Sequence, residues 1–211
     1  MAQQTIPTYI ISLDRRIDRR MHIINQFQDK NIFDWKLVSA IENKNGRLGL
    51  WLTIKDIVKQ GIENKHKYIL ICEDDHQFTP NYSDLLLFDC IKNAEDLGAD
   101  ILLGGICFCD PNVKQVNNNL LAITNFACTQ FLLVFNHFFD TIITSEFSSS
   151  DCADLKLATI SNNKMVVYPF ISIQKDFGYS DVSDGYHDSK MLVYFSATSN
   201  FISDIIKNKK F

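Results

Sequence analysis

The stretch Lys67–Asp75, KYILICEDD, decides the fold class and raises the first functional question. Its first six residues form a short, mostly apolar run, which is typical of a buried strand. Glu73, Asp74 and Asp75 follow directly, at the point where such a strand leaves the core. Three neighbouring carboxylates repel one another unless water, a basic group or a cation offsets their charge. The sequence therefore predicts that some counter-charge lies against this strand end.

Strand-like and helix-like patterns alternate along the first half of the chain. Strand patterns cover 7–13, 33–40, 67–72 and 99–105, with helical patterns at about 14–30, 48–64 and 82–97 between them. This order, with short apolar strands, predicts an α/β fold whose mostly parallel central sheet has helices on both faces. In such sheets, ligands bind at the carboxyl ends of the strands, which is where the three acids fall.

The second half of the chain is less regular. The polar, turn-rich residues 107–119 predict a loop or a short hairpin. Strands are predicted at 127–135 and 164–169, and helices at 136–147 and 148–163. A serine or Asp151 would cap the second of these helices. Near the end of the chain, an apolar stripe predicts a short packed helix, formed by Phe201, Ile202, Ile205 and Ile206.

The composition indicates a soluble globular protein. At 211 residues, 46% of them hydrophobic, the chain is long enough for one large domain with a real core. The net charge of -4 argues against a protein that neutralises many phosphates, so no nucleic-acid partner is expected. No signal peptide is visible, and no window approaches the roughly 20 apolar residues of a membrane span. We therefore expect a cytoplasmic protein.

The cysteines are predicted to be free thiols. They include no Cys-x-x-Cys pair, and Cys107 with Cys109 alone would be a poor metal site. Most lie in apolar runs, which indicates buried thiols in a reducing compartment. The six are Cys72, Cys90, Cys107, Cys109, Cys128 and Cys152.

Three groups of residues are candidates for chemistry. The acids 73–75 suit a hard divalent cation, or else one of them caps the helix that follows. The arginines of 15–20 would grip a diphosphate near a helix start, or else form a solvated face with Asp14 and Asp18. Asp151 or Asp154 would serve as a general base, or else cap a helix.

The five histidines are weaker candidates. His22, His66 and His137 are more typical of surface or packing positions. His76 adjoins the acids and would help to position them without itself binding the metal. His187 would close on a phosphate or metal from the tail, and a purely structural role is the alternative for both.

Taken together, several segments resemble glycosyltransferase family 25, the lipopolysaccharide-biosynthesis and collagen-galactosyltransferase type. YIISLDRRIDRR (9–20) is similar to the family's opening strand and Arg-rich helix, with Ser12 in place of the usual Asn. YILICEDD (68–75) is similar to its hydrophobic run followed by Glu-Asp-Asp. Weaker similarities include FDWKLVSAIENKNG, TQFLLVF, DLKL, VVYPFISIQ with Pro169 and Gln174, and Ser180. The likeness touches most of residues 8–181.

The resemblance implies a GT-A-like nucleotide-sugar-binding sandwich in one domain, with a nucleotide-binding half at about 1–105 and an acceptor-binding half and C-terminal tail at about 106–211. It implies a metal-dependent hexosyltransferase that inverts the sugar carbon and uses a UDP-sugar, UDP-galactose or UDP-glucose. The acceptor would be a glycan or a molecule of lipooligosaccharide type, and the protein would associate peripherally with a membrane through such an acceptor. The residues that it assigns are Glu73, Asp75 and His187 to Mn²⁺ or Mg²⁺, Leu13, Arg15, Arg19, Ala40 and Asp74 to the donor, and Asp151 or Asp154 to the base.

The chain departs from the family in one motif. Members carry Gly-x-x-x-Ser-His before the metal strand, whereas GLWLTI puts Thr53 and Ile54 in the last two places. The missing His leaves room for a non-catalytic sugar- or nucleotide-binding relative of the same fold. A nucleotidyltransferase is a further alternative, but it usually has a Gly-rich phosphate loop, which this sequence lacks. The sequence does not define an oligomeric state.

Overall fold

The computed structural model describes residues 5–181 and 190–208. In chain order, the strands within these residues are β1 (Ile6–Ser12), β2 (Phe33–Ser39), β3 (Tyr68–Glu73), β4 (His76–Phe78), β5 (Ile101–Leu103), β6 (Phe108–Cys109), β7 (Lys114–Asn117), β8 (Leu120–Ile123), β9 (Phe126–Ala127), β10 (Phe131–Phe135), β11 (Lys164–Val167) and β12 (Ser172–Gln174). The helices are α1 (Ile17–Phe27), α2 (Gly46–Glu63), α3 (Asp84–Asp96), α4 (Phe139–Thr144), α5 (Ala153–Ile160) and α6 (Met191–Asn208), with a 3-10 turn at Asn136–Phe138.

An eight-stranded sheet forms the centre of the described structure. Its order is β2-β1-β3-β10-β5-β11-β8-β7. The pairings show that β10 and β8 run opposite to the other six strands, so most of the strands point the same way. β10 lies between β3 and β5 and pairs with both in antiparallel register. One sheet therefore contains strands from both halves of the chain.

Helices cover both faces of this sheet. On one face the buried residues include Phe27 of α1 and Leu87 of α3. On the other they include Ile57 of α2, Leu157 of α5 and Ile202 of α6. The predicted α/β class, with a mostly parallel sheet between helices, is confirmed. None of the helices in the described part of the chain is long and apolar enough to cross a membrane.

The buried face of α1 differs from the predicted one. The spacing of apolar residues predicts that Ile17 and Met21 pack inward, but they are 71% and 57% exposed. Phe27 is fully buried, as the apolar pattern of Ile17, Met21, Ile24 and Phe27 predicts, but Ile23 rather than Ile24 is the other fully buried position. Arg19 lies four residues before Ile23, on the same side of the helix. The inward face therefore begins with an arginine, which a search for apolar periodicity alone does not recognise.

Several elements are shorter or more numerous than the sequence predicts. The acids do not lead straight to a helix, because Asp74 and Asp75 form a tight turn into the short strand β4, which pairs with β12. This pairing brings together His76 and Ser172, which are 96 residues apart, so local patterns give little sign of it. The predicted cap of α5 is wrong, since its N-cap is Cys152 and no side chain caps it.

Two glycines let the β12 segment pack closely against the sheet. A Cβ on Gly104 would lie 2.7 Å from the Phe131 ring, and one on Gly105 would lie 2.1 Å from the backbone oxygen of Ser172. The Gly104 carbonyl accepts hydrogen bonds from the N–H groups of Ile171 and Ser172. Glycine is therefore required here by the close approach of two backbones.

The prediction of six free thiols is wrong for two of them. Cys107 and Cys128 form a disulfide, because pairing of β6 with β9 brings their Cα atoms to 5.9 Å. Cys72, Cys90, Cys109 and Cys152 are free, as predicted. The two strands that join the disulfide are only two residues long each, so the sequence gives no clear pattern for this contact.

Candidate active site at the carboxyl edge of the sheet

One edge of the sheet collects the polar residues. β1, β2 and β3 are parallel, so their carboxyl ends, at Ser12, Ser39 and Glu73, meet at the same edge. β10 runs the other way, which puts the residues before it, including Thr129, at this edge as well. The N–H of Glu73 donates to the carbonyl of Gln130 and joins the two segments.

A cavity of about 430 Å³ opens at this edge. That volume lies within the range of small-ligand sites. Its lining combines Leu13, Arg15, Arg19, Ala40, Glu42, Glu73, Asp74, Asp75, Cys128, Thr129, Asp154, Tyr179 and Asp181, among others. The structure thus brings together the predicted donor-binding residues, two of the predicted metal ligands and one of the two predicted bases.

Arg19 provides the counter-charge that the acids require. Its Nη1 donates to Asp74 Oδ1 at 2.9 Å and to Asp75 Oδ2 at 3.3 Å. All three side chains are mostly buried, at 12%, 9% and 14% exposure. Burial opposes the charge on Arg19, but the two aspartates outweigh it and raise the pKa of Arg19. Arg19 therefore remains a cation at the floor of the cavity.

Both carboxylate oxygens of Asp74 are hydrogen-bonded within the protein. One of them, Oδ2, accepts a hydrogen bond from Ser12 Oγ at 2.7 Å. With Arg19 on Oδ1, both oxygens of Asp74 are bonded to groups of β1 and α1. Asp74 therefore fastens the acidic turn to the first strand and helix. This use of Ser12 was not predicted.

Glu73 and Asp75 are less well compensated. Thr129 Oγ1 donates to Glu73 Oε1 at 2.7 Å. Burial, followed by repulsion from Asp75, raises the pKa of Glu73 to about 8. Burial also raises the pKa of Asp75 to about 6, although Arg19 opposes this change. At neutral pH the Glu73 carboxyl therefore favours the protonated form, whereas Asp75 stays mostly ionised, and additional positive charge would favour the ionised form of both.

The chemistry of these two carboxyls fits a divalent cation. Asp75 Oδ1 is buried and has no hydrogen-bond partner among the described residues. Within that part of the chain, no three His, Cys, Asp or Glu side chains are grouped to hold a metal. Mg²⁺ and Mn²⁺ are often held by one or two carboxylates, with phosphate and water filling the other positions. Glu73 and Asp75 match such an open set, whereas His187 lies outside the described residues.

The two candidate bases occupy different places. Asp154 lines the cavity, and its Oδ2 accepts from the N–H of Cys128 at 3.1 Å. Asp154 and Glu73 line the same cavity, and repulsion from Asp154 makes a small contribution to the raised pKa of Glu73. Asp151 instead accepts from the N–H of Ser148, and bonds with this residue lower the pKa of Asp151. Asp151 is not among the cavity-lining residues.

The position of the missing family His is buried. Ile54 is 1% exposed and belongs to the hydrophobic core. Its neighbour Thr53 accepts from the N–H of Ile41 and donates to the carbonyl of Gly49 through the same hydroxyl. Thr53 thus holds the loop that follows Ala40 against α2, at the wall of the cavity.

A further group of residues was missed by the sequence reasoning. Asp181 Oδ1 accepts from Arg15 Nη2 at 2.9 Å and from Arg16 Nη2 at 2.6 Å, while Oδ2 accepts from Arg16 Nε at 2.8 Å. The guanidinium of Arg16 also lies 3.8 Å from the centre of the Tyr179 ring. The Asp181 contact with Arg16 spans 165 residues of sequence, so no local pattern indicates it.

Comparison with known proteins does not identify the family. No family model matches the chain, and no curated protein matches it. Among solved structures, one match is a glycosyltransferase involved in glycosylation of the major capsid of PBCV-1, with 10% identity and a TM-score of 0.42, covering 65% of this chain and 63% of that one. Another is apo UDP-glucose pyrophosphorylase, with 9% identity and a TM-score of 0.48, covering 94% and 81%.

A third similar structure is mannose-1-phosphate geranyltransferase from Thermus thermophilus, with 6% identity and a TM-score of 0.44, covering 78% of this chain and 73% of that one. The chain spans less than two thirds of the capsid glycosyltransferase. Likeness of this degree carries no argument about activity.

Proposed function

We propose that the protein is a metal-dependent glycosyltransferase that moves a hexose from a UDP-sugar to a glycan acceptor. The observation that supports this most is the composition of one cavity: Glu73 and Asp75 lack full compensation, and Asp154 lies within the same lining. A sugar–diphosphate bond needs stabilisation of charge on one side and activation of a hydroxyl on the other. The cavity contains residue types suited to both tasks.

Each residue has a distinct role in this proposal. Glu73 and Asp75 would hold Mn²⁺ or Mg²⁺, and the chemistry that the cation would supply is stabilisation of negative charge on a diphosphate leaving group. Arg15, Leu13 and Ala40 line the donor side. Asp154 accepts the proton of the acceptor hydroxyl, because it is in the cavity and Asp151 is not. Arg19 and Asp74 keep the acidic turn in place.

Inversion at the sugar carbon follows from this arrangement if the hydroxyl attacks opposite the diphosphate. The proposal extends to UDP-galactose or UDP-glucose as the donor. It also extends to a lipooligosaccharide-type acceptor with peripheral membrane association. The predicted cytoplasmic location also stays a prediction, and the Cys107–Cys128 disulfide counts against it, since such bonds are typical of oxidising compartments.

The proposal is tested by release of UDP from a panel of UDP-sugars with Mn²⁺. Wild-type protein should release UDP from at least one donor, and chelation with EDTA should stop it. Asp154→Asn should lower the rate at least about a hundredfold, the lower range for loss of an acid–base group, and Asp75→Asn should also lower it strongly, because it removes a metal ligand. Asp151→Asn is the matched control and should keep the wild-type rate. Equal losses in the Asp151 and Asp154 variants would contradict the assignment of the base.

One observation favours a second candidate, a non-catalytic nucleotide-binding protein. Arg19 already pairs with Asp74 and Asp75, so part of the charge that a metal would neutralise is met inside the protein. UDP binding that does not depend on Mn²⁺, without turnover of any donor, would favour this candidate. Absence of UDP binding with and without metal would exclude both.

A further inference from the structure

The segment 175–181, here called the strap, covers the arginines at the start of α1. It follows β12, and most of its residues line the cavity. At its base, the N–H of Lys175 donates to the carbonyl of Asp75 at 2.7 Å. At its far end, Asp181 binds Arg15 and Arg16. The strap therefore joins the acidic turn to the arginine cluster across the mouth of the site.

The bond between Asp181 and the arginines has the geometry of anion recognition. The carboxylate binds Arg16 through both of its oxygens, and one of them also accepts from Arg15. Guanidinium groups bind carboxylate and phosphate in the same two-bonded manner. The Arg16 bonds lower the pKa of Asp181, so the carboxylate is charged at neutral pH. Asp181 thus occupies a site that would also accept a phosphate.

A phosphate cannot share this site with Asp181. Arg19 is committed to Asp74 and Asp75. Arg15, which lines the cavity, and the neighbouring Arg16 are instead held by Asp181 and would turn to an anionic ligand once Asp181 leaves. A phosphate drawn to Arg15 would meet the Asp181 carboxylate, and like charges repel. When a phosphate replaces the Asp181 carboxylate, the positive charge of Arg15 and Arg16 remains neutralised.

The rest of the strap has its own attachments to α1. Tyr179 hydroxyl donates to Asp18 at 2.9 Å, and the Tyr179 carbonyl accepts from Arg19 Nη2 at 2.9 Å. The Arg19 guanidinium also lies 5.0 Å from the centre of the Phe177 ring. Release of Asp181 would therefore free the end of the strap without detaching its base.

We propose that the Asp181 carboxylate competes with the phosphate groups of the ligand for Arg15 and Arg16. A diphosphate binds these two arginines by displacing Asp181. The inference rests on the proposed function in one respect, the choice of UDP as the nucleoside diphosphate. Only molecules in which Asp181 has left the arginines can bind the diphosphate. The apparent affinity is therefore the intrinsic affinity multiplied by the fraction of such molecules. Removing the charge of Asp181 should therefore tighten diphosphate binding.

The test is calorimetric titration of wild-type protein and Asp181→Asn with UDP, pyrophosphate and uridine, with Mn²⁺ present. Asp181→Asn should bind UDP and pyrophosphate about tenfold more tightly, while uridine, which has no phosphate, should bind both proteins equally. Asp14→Asn is the matched control, because the exposed Asp14 pairs with Arg20 and neither residue is among those that line the cavity. It should change affinity less than about threefold, the size expected of an exposed pair.

The outcomes separate this inference from the proposed function. Unchanged or weaker binding of both diphosphates to Asp181→Asn overturns the inference, while UDP turnover by wild type would still support the function. Tighter pyrophosphate binding with no binding of UDP supports the anion exchange and overturns the UDP assignment. No binding of either ligand to wild-type protein or to Asp181→Asn overturns both.

A measurement on wild-type protein covers the case in which the variant does not fold. Hydrogen exchange in the strap should become faster when pyrophosphate is added, because Asp181 leaves the arginines. Unchanged or slower exchange at saturating pyrophosphate would show that the carboxylate stays in place, and would overturn the inference.

Discussion

Arg19 Nη1 lies 2.9 Å from Asp74 Oδ1, although 55 residues separate them in the chain. The pair connects the first helix to the turn after the third strand and is mostly buried. A buried charge that loses its partner destabilises a protein more than the intact pair stabilises it. Arg19 therefore contributes to the fold as well as to the cavity.

Replacement of Arg19 by Met should be strongly destabilising. It would leave Asp74 and Asp75 without their cation, at an expected cost of about 3–5 kcal/mol in the free energy of unfolding. Arg20→Met is the control, because Arg20 pairs with the exposed Asp14 and should cost about 1 kcal/mol or less. Urea unfolding of the two variants measures the difference. Similar losses of unfolding free energy in both variants would show that the buried ion pairs contribute no more to stability than the exposed pair.

Gly105→Ala should be more damaging than Gly98→Ala. The new Cβ of Gly105→Ala would lie 2.1 Å from the Ser172 backbone oxygen, so β12 must shift, at a cost of about 3 kcal/mol or more. Gly98 has a φ of +67° but no atom within 4 Å of its added Cβ, so its variant should lose about 1–2 kcal/mol from backbone conformation alone. Thermal and urea unfolding would rank them, and the reverse order would contradict the packing at β12.

The Cys107–Cys128 disulfide should stabilise the protein by about 3 kcal/mol, the value expected for a loop of some 20 residues. Reduction of wild-type protein should therefore lower the free energy of unfolding. The double variant Cys107→Ala/Cys128→Ala should show a similar loss and no response to the reductant. A wild-type protein that is equally stable before and after reduction would argue against the bond.

The ion pair of Asp181 with Arg16 should depend on pH in a defined direction. These bonds lower the folded pKa of Asp181 below its ordinary value of 3.8, so the unfolded chain takes up the proton first as the pH falls. The stabilisation is thus fully present above about pH 4 and is lost below it, as the pH falls through the folded pKa. A double-mutant cycle with Asp181→Asn and Arg16→Gln, followed by urea unfolding between about pH 2.5 and 7, measures it. A coupling that grows towards acid pH would contradict the assignment.

Local patterns were sufficient for much of the sheet and for the place of the site. The apolar run before Glu73 and the alternation of elements predict β1 to β3, and the acids after β3 predict which edge carries the chemistry. Those signals are short-range, so they are present in the sequence. The place of Arg19 on the inward side of α1 was not predicted, because the apolar spacing indicated a face through Ile17 and Met21 instead.

The remaining features depend on distant partners. The disulfide requires pairing of β6 with β9, and the Thr129 contact with Glu73 requires β10 to lie beside β3. Asp181 binds Arg16 across 165 residues. A single polar residue in a loop has the same appearance whether it faces water or a distant arginine, so the sequence does not distinguish these cases.

The insertion of β10 between β3 and β5 has a consequence for how the site comes into being. Until β10 takes its place, β3 has no neighbour on that side, and Thr129 cannot approach Glu73. A fragment that ends before β10 would contain the acidic turn and the arginines but not this cavity. The complete cavity thus requires both halves of the chain, and two separately produced halves should acquire it only when they reassociate.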